Sequence, residues 1–178
     1  MSEPFPFFRY HPNPLETGMV VERDTTCACC EKSRGFVYVG HVYAIKEFDE
    51  NICPWCIADG SAASKFDASF SDNYPLIKAG LPAAIVEEVH LKTPGYISWQ
   101  QDSWLSHCND ACEFHGDAST NDISEVTSDT KTEWKREYNL DEQDWRDITD
   151  RYEPGGDPAF YKFICRHCKV VLLGWDCS

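Results

Sequence analysis

Eight of the ten cysteines in this chain fall into four close pairs: Cys27 with Cys30, Cys53 with Cys56, Cys108 with Cys112, and Cys165 with Cys168. Thiols three or four residues apart suit two chemistries. A tight turn can aim both sulfurs at one zinc ion, which takes four nitrogen or sulfur ligands tetrahedrally at about 2.0–2.3 Å. A CxxC that opens a helix can instead run disulfide exchange, because the helix N-terminus lowers the pKa of its first thiol. Taken alone, the CPWC at 53–56 fits either description.

Context favours metal. The first two pairs are separated by 22 residues that include the β-rich "RGFVYVGHVYAI" (34–45), which reads as a hairpin or a bulged strand and agrees with the hairpin expected between two zinc knuckles. The last two pairs are separated by 52 residues, and the final one sits in "AFYKFICRHCKVVLLGW", which reads as strand, knuckle, strand. Sequential pairing predicts two structural zinc ions, one on Cys27, Cys30, Cys53 and Cys56 and one on Cys108, Cys112, Cys165 and Cys168. Crossed pairing stays open, as does replacement of one thiolate by His107, His115 or His167. His107 and His167 adjoin expected ligands and could hydrogen-bond the sulfurs instead. A redox centre would need a βαβ surround, whereas Cys53 follows the short acidic "KEFDEN". Cys29 and Cys177 are left over.

No catalytic arrangement competes with this reading. GxSxG, P-loop, GxGxxG and HExxH patterns are absent. Zinc held by four protein ligands has no open position to activate water, so the expectation is a protein that is not an enzyme.

The elements that must position the cysteines are short and mixed, which predicts an α+β fold of small zinc-stabilised hairpins packed with several short helices. Residues 1–18, rich in proline and aromatics, read as an extended arm laying its rings on the body. A short helix is expected from the second cysteine of CPWC, a clear one over 81–95, and helices near 121–138 and 140–150. The last two carry thin apolar faces (Ile123, Val126, Trp134; Leu140, Trp145, Ile148). One compact domain over 1–178 is expected, with sub-lobes at 19–66 and 96–178 and an acidic insertion at 117–157.

Charge narrows the partners. The chain carries 30 acidic against 16 basic residues, and fifteen of the acids lie between Asp110 and Asp157 against five Lys or Arg. Nucleic acid is disfavoured as a direct ligand, because binding it relies on cations that neutralise phosphates. No apolar run approaches the roughly 20 residues of a membrane span, and no secretion signal opens the chain, so a cytoplasmic protein is expected. A reducing compartment agrees with metal rather than disulfides as the use of ten cysteines.

The strings "CACC", "CPWCIADGSAASKF", "TPGYISWQQDSWLSHCNDACEFHG", "FICRHC" and "YHPNPLETG" resemble the CbrC family, bacterial proteins whose label refers to colicin tolerance. The resemblance covers nearly all of the chain except about 117–157, where the acidic segment reads as this chain's own variant. It implies a bacterial protein connected with resistance to a protein toxin. Combined with the charge, it suggests an immunity or tolerance factor that binds a basic partner, such as a nuclease toxin domain, through an acidic, aromatic surface. Trp134, Tyr138 and Trp145 would be the anchors, with Tyr152, among the carboxylates of Asp141, Glu142 and Asp144. A regulatory zinc-ribbon adaptor and a thiol-redox protein are the alternatives.

Overall fold

Short elements follow one another along residues 3–178, the part of the chain that the computed structural model describes. Strands β1 (Val20–Glu22) and β2 (Phe36–Tyr38) pair antiparallel, with Val21 opposite Val37. Helices α1 (Pro54–Ala58), α2 (Ser61–Phe66), α3 (Tyr74–Lys78) and α4 (Ala83–Lys92) come next. A minimal hairpin, β3 (Ser106–His107) and β4 (Asp110–Ala111), leads into β5 (Glu113–Asp117). Helices α5 (Thr120–Ser124), α6 (Ser128–Glu137) and α7 (Glu142–Thr149) precede the closing hairpin of β6 (Ala159–Ile164) and β7 (Val171–Asp176). Strands β5, β6 and β7 form one antiparallel sheet with β6 in the middle. The α+β class expected from the sequence is what the chain adopts.

Local chemistry sets the boundaries. Proline opens α1, and Gly60 at φ 78° divides it from α2, so the single helix expected there is two. Helix α4 ends at Thr93, immediately before Pro94. Thr127 and Asp141 cap α6 and α7 with their side chains, and Asn139 takes φ 53° between them. The segment 34–45 does not fold back on itself as expected. Gly40 does not take the positive φ that a tight hairpin turn needs. Instead the Tyr38 ring lies over it, its hydroxyl filling the place that a Cβ would take, and Phe36–Tyr38 pairs with β1.

Strand β6 has apolar residues on both faces because both faces are covered. Ala159, Tyr161 and Phe163 point into a core with Tyr10, Leu76, Val89, Tyr96, Trp104 and Phe114. Phe160 points the other way and, with Leu173, meets Trp134, Trp145 and Tyr152 from the helical segment. A separate cluster surrounds the first cysteines, with Tyr38, Ile52, Trp55, Ile57 and Phe70, and Met19 packs against both it and the Tyr10 core.

The acidic segment is therefore the lid of a sheet. Trp134 and Trp145 are 3% and 6% exposed and meet edge to face at 4.9 Å, which removes them as surface anchors. The Tyr138 hydroxyl accepts from the Trp175 N–H at 3.2 Å. Asp141 caps α7, Asp144 returns the bond to the Asp141 N–H, and Glu142 accepts from Lys131 at 2.6 Å and Lys135 at 3.0 Å. In sequence these six residues resemble an aromatic, acidic contact surface. In the fold their rings are the buried stripe of amphipathic helices, and their carboxylates hold helix ends and lysines.

The described part of the N-terminal arm packs its rings as expected: Phe8 and Tyr10 are buried, and Pro4 O accepts from the Trp55 indole N–H at 2.9 Å, while Phe7 stays exposed. Residues 1–2 of that arm lie outside the described residues. His11 is fully buried, its Nδ1 2.8 Å from Pro94 O and its Nε2 2.7 Å from Thr17 Oγ1. Burial pushes its pKa down to about 4, against the Pro94 bond. Below about pH 6.5 the unfolded chain takes up a proton that the folded chain refuses, so stability falls as the pH drops from there toward the folded value. With zinc in excess, going from pH 7 to 5.5 should cost about 1 kcal/mol through this group. Thermal melts should show that loss reduced in His11→Gln; the same pH slope in both proteins would exclude His11 as its source.

Candidate metal centres

The first group is built from two knuckles. The turn before β2 carries Cys27 and Cys30, with Thr26 bridged to Ser33 and the Cys27 N–H donating to Lys32 O. Cys53 is the N-cap of α1 and Cys56 lies in that helix's first turn, so the helix start aims both sulfurs the same way. The four side chains of Cys27, Cys30, Cys53 and Cys56 bring their sulfurs within 4.8 Å of one another. Sulfur separations are 3.9 Å for Cys27 with Cys56, 3.8 Å for Cys30 with Cys53, and 3.5 Å for Cys53 with Cys56. A zinc ion with four thiolates at about 2.3 Å needs tetrahedron edges of about 3.8 Å, so the spacing fits.

The surroundings suit a thiolate-rich centre. The N–H groups of Cys29 and Cys53 donate to Cys27 Sγ at 3.4 and 3.3 Å. Arg34 lies over the Trp55 ring and reaches Cys53 Sγ at 3.9 Å, and Lys65 straps α2 to the first knuckle through Cys29 O at 2.6 Å. The bond from Cys53 pulls Cys27 down, that same bond pushes Cys53 up, and burial raises Cys56 to about 12. A divalent cation is what lets all four deprotonate together.

The second group joins two hairpins. Cys165 and Cys168 occupy the β6–β7 connection, where Lys169 at φ 62° lets its N–H reach Cys165 O at 3.1 Å. The facing ligands come from the β3–β4 turn, whose central residues Cys108 and Asn109 have φ 53° and 57°, the left-handed pair of a type I′ turn. That turn presents Cys108 and His107 side by side. His107 Nδ1 lies 3.2 Å from Cys108 Sγ and 3.3 Å from Cys168 Sγ, and the two sulfurs are 3.8 Å apart. His107, Cys108, Cys165 and Cys168 thus form a second group with all ligand atoms within 4.8 Å.

Cys112 is not among them. Four residues along a helix would place Cys112 beside Cys108, but a hairpin carries it away down the returning strand, at about 3.3 Å per residue. Its side chain is fully buried in the core next to Trp104, whose indole N–H donates to Cys112 O at 2.9 Å. Burial raises this thiol's pKa, as expected of a packing cysteine rather than a ligand. The replacement of a thiolate by His107, left open in the sequence, is the arrangement the fold makes. The six remaining residues of the expected site lie in α6, α7 and the residues between them, as described above.

Asp110 ties the two hairpins together and carried no signal in the sequence. It is 5% exposed and accepts from Tyr10 Oη at 2.9 Å, Arg166 Nη1 at 2.6 Å and His167 Nε2 at 2.9 Å. Burial would raise its pKa, but the bonds from Tyr10, His167 and Arg166 outweigh that and hold the carboxyl below its usual range. His167 therefore orients the second knuckle from outside, and His115 faces Glu113 at 3.3 Å.

Both groups offer complete donor sets for a tetrahedral ion, and they differ in exposure. Cys27, Cys53 and Cys56 are buried, whereas Cys108 and Cys168 are exposed. No helix is long and apolar enough to cross a membrane among the described residues.

Comparison with known proteins places the whole chain. The description "Uncharacterised protein family (UPF0167)" matches residues 5–177. A UPF0167 protein of Pseudomonas aeruginosa is 48% identical over 169 residues, covering 94% of both chains. A UPF0167 protein of Mycobacterium bovis and one of Mycobacterium tuberculosis are each 39% identical over 173 residues, covering 96% of this chain and 92% of theirs. No solved structure matches. These matches overturn the CbrC assignment, and at this coverage they run through the acidic segment. The chain belongs to UPF0167.

Proposed function

We propose that this is a non-catalytic zinc-binding protein whose two ions are structural, one held by four cysteines and one by three cysteines and His107. The observation that carries the reading is the sulfur spacing of 3.5–3.9 Å in the first group, the edge length of a zinc–thiolate tetrahedron. Four protein ligands at each centre leave no position for water or substrate. The burial of Cys53 and Cys56 argues against disulfide exchange, which needs an accessible thiolate. Ten free cysteines in such an arrangement suit a reducing compartment such as the cytoplasm.

Native mass spectrometry of protein purified without added metal tests this directly. Two zinc ions per chain are expected, retained through gel filtration. A metal-free chain that stays folded would remove the reading and return the CPWC thiols to consideration as a redox pair.

The role of such a scaffold is to present a surface, and the surface is acidic. We infer that its partner is a protein with a basic contact face rather than nucleic acid or membrane. The toxin in the earlier expectation came with the family resemblance and goes with it.

A further inference from the structure

Away from both metal centres, the first face of the sheet opens into a groove. One cavity of about 460 Å³ runs past Glu16 and His115, and a second of about 210 Å³ runs past Trp99 and the Gly155–Gly156 turn. They share Ile97, Asp117 and Tyr161. Ile97 and Trp99 are 49% and 55% exposed, although both are large and apolar. The Trp99 indole N–H reaches Gly156 O at 3.4 Å, which fixes the ring at the groove's end.

Asp117 stands where the two cavities meet. Its carboxylate has no hydrogen-bond donor and no ion-pair partner among the described residues, and its Oδ2 lies 3.7 Å from where a Cβ at Gly155 would sit, so the glycine turn leaves that side of the carboxylate open. The side chain is exposed, yet the walls of the groove desolvate its carboxyl enough to push its pKa up, with no cation near to offset the shift. No Lys or Arg lines either cavity, and the titratable groups facing Asp117 there are Glu16, His115 and Tyr161. His115 already faces Glu113.

We propose that this groove binds a primary alkylammonium group, with its aliphatic stem along Ile97, Trp99 and Tyr161 and its charged end at Asp117. The walls are apolar where a methylene chain would lie and aromatic where a cation gains from ring faces. The unpartnered carboxylate supplies the charge, with Glu16 as a second acid on the far side. An anion would meet only repulsion. A neutral chain would leave Asp117 as it is. The proposal does not depend on the metal reading, and zinc content should be the same in every variant below.

The test uses zinc-loaded, ¹⁵N-labelled protein and follows the Trp99 indole signal, assigned with Trp99→Phe. n-Butylammonium should shift it saturably, while 1-butanol, the same size without the charge, should need at least tenfold more. Asp117→Asn should lose at least tenfold in affinity for the amine. Glu16→Gln should lose less and serves if Asp117→Asn folds poorly. Nα-acetyl-lysine methylamide separates the sources: a response tighter than that to butylammonium points to a lysine of a protein partner, and a weaker one to a free amine. Equal responses to butanol and amine, an undiminished response in both acid variants, or no response to either amine would overturn the proposal.

Discussion

Cys53→Ser should cost this protein one zinc ion and the fold of the region around it. Cys53 is the hub of the first centre, 3.5 Å from Cys56 and 3.8 Å from Cys30, and its backbone N–H donates to Cys27 Sγ. It also occupies the N-cap position of α1, so the metal ligand and the helix start are one residue. Structural zinc contributes about 10–16 kcal/mol of folding free energy per site. Whole domains of this size are stable by only about 5–15 kcal/mol. Removing one ligand from a buried centre should therefore unfold the elements it holds, rather than soften them. Zinc analysis should give one ion per chain. Hydrogen exchange should show β1, β2, α1 and α2 losing protection, while β5–β7, built on a different core, keep theirs. A strong chelator applied to the native protein should empty the solvent-facing second centre first and then produce the same loss at the buried first one. The competing expectation is distinct. If Cys53 and Cys56 were a redox pair, the substitution would abolish thiol reactivity and leave metal content and protection unchanged.

How much of this could be read beforehand depends on which geometry each spacing implies. A CxxC has one common structural meaning when it sits in a turn, which made Cys27–Cys30 and Cys165–Cys168 legible, whereas Cys53–Cys56 at the start of α1 was legible only beside the pair that it faces. CxxxC has two, because residues four apart converge on a helix and diverge along a hairpin. Cys108–Asn109 in a type I′ turn decides between them, and this dipeptide lacks the Asn-Gly signature that marks such turns. The helical stripe of Trp134 and Trp145 was visible too, but its destination was not. A stripe of tryptophans among acids describes equally an anchor surface and a sheet cover. What distinguishes them is the partner face on β6 and β7, and "AFYKF" carried it in sequence: apolar residues at successive positions imply a strand covered on both sides. Asp110 was illegible, because one acid among fifteen in that stretch has no feature of spacing to single it out.

The second centre makes the sharpest distinction between the two ligand sets. His107→Ala should release one zinc ion and leave the first centre full, because it removes one of four ligands from a group whose Cys108 and Cys168 face solvent. Its β3–β4 hairpin has only two residues on each side, and the metal bridge to the Cys165–Cys168 knuckle is one tie holding it to the β6–β7 connection, beside the contact of Cys165 Sγ with His107 O at 3.9 Å. A second tie is Asp110, bonded to Arg166 and His167. With that second tie intact, the hairpin should loosen without the sheet unfolding, a loss of local protection at residues 105–112 beside unchanged β5–β7. Cys112→Ala should do the opposite. It empties a small volume in the core, costing about 1 kcal/mol in stability, and both ions should stay. Cobalt substitution adds an independent readout, since thiolate-to-metal charge-transfer absorption scales with the number of cysteine ligands. The native protein should show seven thiolates across two centres, Cys112→Ala the same seven, and His107→Ala only the four of the first centre. If Cys112→Ala instead loses the second ion while His107→Ala keeps it, the centre is the all-cysteine quartet of Cys108, Cys112, Cys165 and Cys168, and the turn geometry does not set the ligand.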